Sequence, residues 1–328
     1  MRQENMHRLL GFIVVLTVAS SFSLAALEPG ISLGTSFWWS IVTLTTVGYG
    51  DVSPVTFGGR IIAIVLMIVG IGLLGTFSAT IASFLVDKRI KENRGMSSSI
   101  FEDHIIICEW NHRAEVIISE LRHDRATAEL PIVLISNIEQ KPIDDERLLF
   151  IQGQPNDETF TRANLAKART VVILGDDRLE HTARDAKAIL TILTAESINP
   201  DAYTIVELVN ESNVVHCQRA NADEIIVSDE LSSNLISRAA VNHGISGFVS
   251  ELLSAKRGNE LYKVPVPSEL VGSTFLEAIL SLKQQYQCIA VGVQKQGGGA
   301  LLSNPASEYL LDADDYLIVI AQERPLIE

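Results

Sequence analysis

The chain has 328 residues, of which 47% are hydrophobic, and a formal net charge of −14. This length suits about two domains, and the positive mean hydropathy indicates that part of the chain lies outside water. The acidic balance argues against nucleic-acid binding, because an acidic surface repels phosphates. Cys108, Cys217 and Cys288 are far apart and form no CxxC pair, which argues against a disulfide framework or a zinc site.

The N-terminal third differs from the rest in charge and hydropathy. Residues 1–95 carry seven Lys and Arg against five acids, a net charge of +2, so the remaining chain carries −16. Two uncharged runs predict an outer helix over 9–27 and an inner helix over 61–86. At about 1.5 Å per residue, the first nearly spans a roughly 30 Å hydrocarbon core and the second exceeds it. A cleaved signal peptide is the alternative for the first run, since Arg2 and Arg8 precede it.

A shorter helix is predicted between these two runs. Glu28-Pro29-Gly30 breaks the first helix, and Thr35 or Ser36 can cap a helix over 35–45. This helix is too short to cross a bilayer and must be re-entrant. Re-entrant backbone has to be enclosed by protein or by a water-filled cavity, which one subunit cannot provide.

A motif directly after this helix carries the strongest functional signal. It consists of Thr46, Val47, Gly48, Tyr49, Gly50 and Asp51. Glycines let a short extended segment adopt the backbone angles that aim successive carbonyl oxygens at one axis, as a potassium-selective pore requires. The alternative is a Thr- and Gly-rich turn in a soluble domain.

The motif matches the signature selectivity filter of potassium channels, and Phe37-Trp38-Trp39-Ser40 before it resembles the pore helix of that family. The resemblance implies a homotetramer in which carbonyl oxygens from Thr46 to Tyr49 bind K⁺. It also implies that the tandem tryptophans pack around the filter as a cuff, with interfacial anchoring as the alternative. Many members pair the filter Asp with a Glu on the pore helix. Val42 occupies that position here, so Asp51 is expected to lack this partner.

The same resemblance assigns glycines of the inner helix to gating. Gly70 lies where the family has its hinge glycine, and Gly75 is the second candidate, more typical of a pore-lining position. Close packing between helices is the alternative role of both, since small residues are common at membrane helix interfaces.

Basic residues predict the orientation of the membrane part. Arg2 and Arg8 flank the first span and four basic residues follow the second, whereas the segment between carries only Arg60. This pattern predicts a multi-pass plasma-membrane protein with both termini in the cytoplasm. No run has Arg at every third position, so no voltage-sensor helix is expected. Residues 1–87 are thus the predicted pore domain and 88–102 the linker.

The remaining chain alternates short β-branched runs with amphipathic helices, which predicts a doubly wound parallel sheet. Strands are expected at 105–108, 132–136, 149–152, 171–174, 203–208 and 224–227, with helices near 112–122, 158–166, 180–197 and 212–220. The order resembles the Rossmann-like RCK domain (regulator of potassium conductance) of MthK-like channels. The resemblance divides the chain into an N-lobe over 103–230, a helix-turn-helix dimer interface over 231–256 and a small α+β subdomain over 257–328.

Family members assemble their RCK domains into an octameric gating ring. Some make soluble RCK copies from an internal methionine, and Met96 in the linker is the candidate start here. An ordinary linker methionine is the alternative. In the hairpin over 231–256, Phe248 is the expected anchor of the dimer interface, with an ordinary core residue as the alternative.

Nucleotide binding is not expected. Glu109 and Asn111 occupy the first two glycine positions of a dinucleotide fingerprint, and only Ala114 suits the third. The second strand ends Ser136-Asn137, without the acid that would hold a ribose. NAD is therefore not an expected cofactor, and without a catalytic constellation the chain is not expected to be an enzyme.

Calcium is the other ligand of this family, because carboxylates suit a cation that takes six to eight oxygens. In MthK-like channels a set of acidic residues binds calcium. Of the matching positions in this chain, only Glu207 is an acid. Asp176, Asp177 and Glu180 lie nearby and are the candidates for a shifted divalent-cation site; a solvated turn that caps the following helix is the alternative. The sequence thus predicts a ligand-gated potassium channel. The competing hypothesis is a membrane-anchored nucleotide-binding sensor or oxidoreductase.

Overall fold

The structure, a computed structural model, describes residues 2–256, 258–295 and 299–325, with side chains from His7 onward. The chain divides into two compact units at Asn93 and Arg94. The first unit consists of three helices. They are α1 (Arg2–Leu27), α2 (Leu33–Leu44) and α3 (Phe57–Asn93). Two segments, His7–Leu27 and Phe57–Asn93, are long and apolar enough to cross a membrane.

All three helices extend beyond their predicted bounds. Ser32, rather than Thr35 or Ser36, caps α2, since its hydroxyl accepts a 3.2 Å hydrogen bond from the amide of Thr35. α3 continues seven residues past the predicted end at 86, because its charged end consists of good helix formers and is supported by the Lys88–Glu92 pair, 3.8 Å apart. The first part of the predicted 88–102 linker is therefore helix.

The second unit begins with a six-stranded parallel sheet in the order β3-β2-β1-β4-β5-β6. Its strands are β1 (His104–Cys108), β2 (Ile132–Ser136), β3 (Leu148–Gln152), β4 (Ala168–Ile173), β5 (Tyr203–Leu208) and β6 (Glu224–Val227). The strand order reverses between β1 and β4. In open α/β sheets, ligands bind in the crevice at this point, outside the carboxyl ends of the strands.

Helices cover the two faces of this sheet unequally. They are α4 (His112–His123), α5 (Asp157–Arg162), α6 (His181–Ile198) and α7 (Val214–Arg219). Along β1 the side chains alternate, with Ile106 in the core formed with α6 and Ile107 in the core formed with α4. The helix predicted over 158–166 stops at Arg162, because Asn164 adopts a left-handed φ of 57°.

The C-terminal part contains two helices followed by a small α+β subdomain. It comprises α8 (Ser228–Val241), α9 (Ile245–Leu252), β7 (Glu260–Pro265), α10 (Phe275–Tyr286), β8 (Ile289–Gln294), β9 (Leu301–Ser303) and β10 (Tyr316–Ala321). The four strands form an antiparallel sheet in the order β7-β10-β8-β9, and α10 packs on it through Phe275, Ala278 and Leu282. The sequence Gly297-Gly298-Gly299 predicts a turn between β8 and β9, of which Gly297 and Gly298 lie outside the described residues.

Candidate functional site

The motif after α2 adopts a backbone of alternating handedness. Thr46, Gly48 and Gly50 have φ values of 61°, 57° and 75°. The amides of Val47 and Gly48 both donate to the carbonyl oxygen of Val42 on α2, at 3.0 and 3.3 Å. Because these N–H groups are bonded toward the helix, the carbonyl groups of the motif are left for other partners. This is the arrangement that a row of cation-binding oxygens needs.

The outer end of the motif is fixed to α2 by an aromatic side chain. The rings of Trp38 and Tyr49 stack with centroids 6.0 Å apart and an interplanar angle of 7°. The indole Nε1 of Trp38 donates a 3.1 Å hydrogen bond to Oδ2 of Asp51. Asp51 thus has a pore-helix partner although Val42 replaces the usual Glu. The packing of Trp38 on the motif fits the predicted aromatic cuff.

A buried carboxylate joins the end of α1 to the start of α3. Glu28 is only 2% exposed, and its Oε1 accepts hydrogen bonds from the amide and the hydroxyl of Thr56, at 2.9 and 2.7 Å. The Thr56 hydroxyl also accepts from the amide of Gly59, so it caps α3. A Cβ at Gly59 would collide with the Glu28 carboxylate. In the sequence, Glu28 marks only the end of a span, and no local pattern indicates this contact with Thr56.

The two glycines predicted as gating hinges lie within an unbroken helix. α3 runs through Gly70 and Gly75 without interruption. Gly70 is buried, and a Cβ there would collide with the side chain of Leu44 at the end of α2. Gly75 has open space around its Cα. Close packing therefore accounts for the small residue at 70 in this conformation, and a hinge role of either glycine stays a prediction.

In the second unit, the crevice at the switch point between β1 and β4 is filled by charged side chains of the protein. Glu109 is 3% exposed and adopts a φ of 75°, the left-handed conformation that favours glycine. Its carboxylate lies 2.6 Å from Nζ of Lys187 and 3.4 Å from Nη2 of Arg178. Asp176 completes the group, at 2.9 Å from Lys187 and 2.8 Å from Arg178. We call these four residues the Glu109 quartet.

A second set of four charges lies beside the first. Arg113 and Arg184 both bridge Glu207 and Asp177, and we call the four residues the Glu207 quartet. Arg113 lies 2.9 Å from Glu207 and 2.5 Å from Asp177, and Arg184 lies 3.1 Å from each carboxylate. A Cβ at Gly175 would collide with the guanidinium of Arg184, so the glycine makes room for this side chain.

These contacts shift the titration of the charged groups. Hydrogen bonds from Arg178 hold the pKa of Asp176 well below its usual range, against the opposing effect of burial, and Lys187 adds to this. Burial lowers the pKa of Lys187, but its bonds to Asp176 and Glu109 outweigh that effect and raise it. Asp176, Arg178 and Lys187 therefore stay charged around neutral pH.

The crevice offers neither a dinucleotide nor a metal an open set of partners. Glu109 fills the first glycine position of the fingerprint, and Asn111 caps α4 and donates to the carbonyl of Gly175. Within the described residues, no three His, Cys, Asp or Glu side chains come together in a metal-binding arrangement. Of the four predicted divalent-cation ligands, Asp176, Asp177 and Glu207 are ion-paired and Glu180 is exposed. The pairs argue against that site, which stays a prediction.

The face of the parallel sheet opposite α6 has an open apolar groove of about 840 Å³. It lies between α4 and α8, along β4, β5 and β6. Its apolar walls include Val116, Val172, Ile205, Ile226 and Leu231. Phe248 on α9 is 53% exposed, so within one chain it is not a core residue.

Sequence reasoning found the acids of the crevice but not their basic partners. Arg113 on α4 is 94 residues from Glu207, and Lys187 on α6 is 78 residues from Glu109. Arg184 and Lys187 also pair with Asp177 and Asp176, which lie close to them along the chain. A spacing of three residues places Arg184 and Lys187 on one face of α6, and this spacing is the sequence signal that indicates a pair of basic partners.

Three family models match successive parts of this chain. The family described as "Ion channel" matches residues 11–87, the calcium-activated potassium channel slowpoke-like RCK domain matches 100–206, and a Castor and Pollux part of voltage-gated ion channel matches 229–327. The calcium-gated potassium channel TvoK of Thermoplasma volcanium is 33% identical over 90% of this chain and 83% of its own length. Potassium channel protein 1 of Methanocaldococcus jannaschii is 24% identical over 97% of this chain and 94% of its own.

Two solved structures share the fold. The GsuK channel superposes with a TM-score of 0.53 at 17% identity, covering 98% of this chain and 57% of that one. The human SLO3 gating ring gives a TM-score of 0.53 at 16% identity, covering 67% of this chain and 44% of that one. This chain therefore spans less than two thirds of the length of either solved chain.

Proposed function

This chain belongs to the family of potassium channels that carry an RCK domain, and we propose that four copies form a K⁺-selective pore controlled by their RCK domains. The observation that carries the proposal is the backbone of residues 46–50, which alternates in handedness and in which the amides of Val47 and Gly48 bond to the carbonyl oxygen of Val42. This arrangement leaves a row of carbonyl groups for other partners. Four such rows around one axis would replace the hydration shell of K⁺. The side chains of Val47 and Tyr49, 53% and 67% exposed in one chain, would then be covered by neighbouring copies.

The proposal places the protein in the plasma membrane as a multi-pass protein with both termini in the cytoplasm. The basic residues at the ends of the two spans support this orientation. The length of α3 supports the membrane location. At about 1.5 Å per residue the helix is roughly 55 Å long, so in this orientation it would extend beyond the hydrocarbon core into the cytoplasm.

We infer that the RCK domains dimerise through α8 and α9. The groove between α4 and α8 is apolar, and the exposed Phe248 of a partner is an aromatic anchor of suitable size for it. Eight RCK domains would form the gating ring, with four copies started at Met96. Identical band patterns before and after Met96→Ile, with one full-length band in each, would exclude these soluble copies.

Membership of the family indicates the class of the gating ligand but not its identity. One relative is named a calcium-gated channel, so calcium is the first ligand to test. In the proposal, a ligand that binds one ring conformation more tightly shifts the pore equilibrium by that difference in affinity. A calcium-dependent shift in melting temperature that disappears in Asp176→Asn/Asp177→Asn would assign calcium to the paired acids. The ion pairs predict no such dependence on these two residues.

Potassium flux into liposomes that contain the purified full-length protein tests the proposal. We expect flux in the wild type and none in Gly48→Asp, because a carboxylate and a non-glycine residue at φ 57° would disrupt the row of carbonyls. Ser53→Asp is the matched control, since it adds the same exposed carboxylate just outside the motif and should retain flux. Intact oxidoreductase activity without any potassium flux would favour the rival hypothesis.

A further inference from the structure

The segment that leaves the inner helix is held against the N-lobe almost from its first residue. α3 ends at Asn93, and Gly95 is already buried. The carbonyl oxygen of Gly95 accepts hydrogen bonds from the amide of Gln152, at 3.0 Å, and from Nη2 of Arg162. Gln152 ends β3, the edge strand of the parallel sheet. The segment therefore lies along the outer edge of that sheet.

Gly95 occupies a place that requires glycine. Its φ is 63°, in the left-handed region. A Cβ at this position would also collide with the backbone of Ile151 and Gln152. Any side chain here would push the segment away from β3, so the close approach depends on the glycine.

Arg162 holds the segment at several points. Besides Gly95, its Nη2 donates to the carbonyl of Ser97 at 3.1 Å, and its own carbonyl accepts from the amide of Ser99 at 2.7 Å. Its Nη1 donates to the carbonyl of Gln152 at 3.4 Å. A guanidinium can do this because its donors form a rigid planar fork, which a lysine lacks.

The docking continues to the start of β1. The side-chain amide of Asn164 donates to the carbonyl oxygen of Phe101 at 2.8 Å. The backbone amide of Asp103 donates to the carbonyl oxygen of Lys167 at 2.9 Å. The intervening side chains Met96 and Ile100 face away and are 58% and 88% exposed. Residues 95–103 are thus an ordered extended segment, not a free tether.

We propose that Arg162 is a positioning residue for gating, which holds the segment so that movements of the N-lobe reach the inner helix directly. The inference rests on the proposed function of the RCK domains. Nine free residues could extend to roughly 30 Å and would absorb a domain movement of a few ångströms. With 95–103 docked, Arg94 alone separates the helix from the lobe.

Two measurements on the full-length channel test this role. The first is hydrogen exchange of the Gln152 amide, which should become at least about tenfold faster in Arg162→Gln, since a charge-assisted bond that holds its acceptor is lost. Arg162→Lys should restore little of the protection. Arg147→Gln is the matched control, because the Arg147 side chain is half exposed and its ion pair among the described residues is with the surface Glu129.

The second measurement is the open probability in planar bilayers at fixed voltage. Arg162→Gln should shift it in the same direction as a short Gly-Ser insertion after Arg94, and Arg147→Gln should leave it unchanged. Unaltered exchange at Gln152, or faster exchange with an unaltered open probability, would overturn the inference while leaving the channel function in place. Absence of potassium current in the wild type would instead overturn the proposed function on which the inference rests.

Discussion

The ammonium group of Lys187 donates a 2.6 Å hydrogen bond to the carboxylate of Glu109, which lies where dinucleotide-binding loops have a glycine. A side chain of the protein thus places negative charge where a phosphate would sit. In the Glu207 quartet, two guanidinium groups contact the carboxylates that a metal ion would need. Basic side chains of the same chain thus neutralise the carboxylates of both quartets.

Removal of Lys187 should destabilise the RCK unit. Lys187→Met leaves Glu109 and Asp176 buried with only the half-exposed Arg178 as a partner. Breaking a buried pair by removing one member leaves an uncompensated charge, and we expect a loss of about 2 kcal/mol or more. Hydrogen exchange of the core amides of β1 and β4 in the full-length protein measures it. Lys283→Met, at an exposed position of α10, should leave exchange unchanged.

Acid should weaken the same unit through Asp176. Its pKa is lowered in the folded state, chiefly by Arg178, so ionised Asp176 stabilises the fold at pH values above its unfolded pKa of about 3.9. This contribution disappears as the pH falls below about 4 toward the folded pKa. The unit should therefore keep the stabilisation from Asp176 between pH 5 and 7. When the melting temperature is measured against pH, its fall below about pH 4 should be less steep in Asp176→Asn than in the wild type. An equally steep fall in Asp176→Asn would contradict this assignment.

The bond between Trp38 and Asp51 should stabilise the conducting filter. Trp38→Phe keeps a ring for stacking on Tyr49 but removes the donor to Asp51, at a cost of about 1–1.5 kcal/mol. We expect roughly a tenfold shift toward non-conducting filters, measured as the steady-state fraction of conducting time in single-channel records. Asp51→Asn retains an acceptor and should shift this equilibrium less. An equal shift in both variants would contradict the role of the bond.

Glu28 should stabilise the outer ends of the two membrane helices. Glu28→Leu leaves the amide and hydroxyl of the buried Thr56 contact without their acceptor, which costs about 1–3 kcal/mol. Flux retained after heating of proteoliposomes should fall to half at a lower temperature than in the wild type. Glu28→Gln keeps an oxygen acceptor and should lose less. Thr76→Val removes a hydroxyl that donates to the carbonyl oxygen of Gly72 within α3 and serves as the control.

The sequence predicted those features that depend on short-range patterns. The uncharged runs, the glycines of the filter and the alternation of strands and helices are readable in a few residues, and β2, β5 and β6 lie at their predicted bounds. The partners of the acids could not be predicted this way. Lys187 is 78 residues from Glu109, and Arg113 is 94 residues from Glu207, so only the folded sheet brings them together. The predicted end of α3 at 86 is too early, because the chain loses its hydrophobicity there but continues as a helix to Asn93.

The reversal potential of the purified full-length protein in a planar bilayer, with K⁺ on one side and Na⁺ on the other, tests the central claim most directly. A row of carbonyl oxygens that replaces the hydration shell of K⁺ predicts a reversal potential displaced strongly toward the K⁺ equilibrium potential, and no current in Gly48→Asp. A reversal potential near zero, or an equal current in Gly48→Asp, would contradict it.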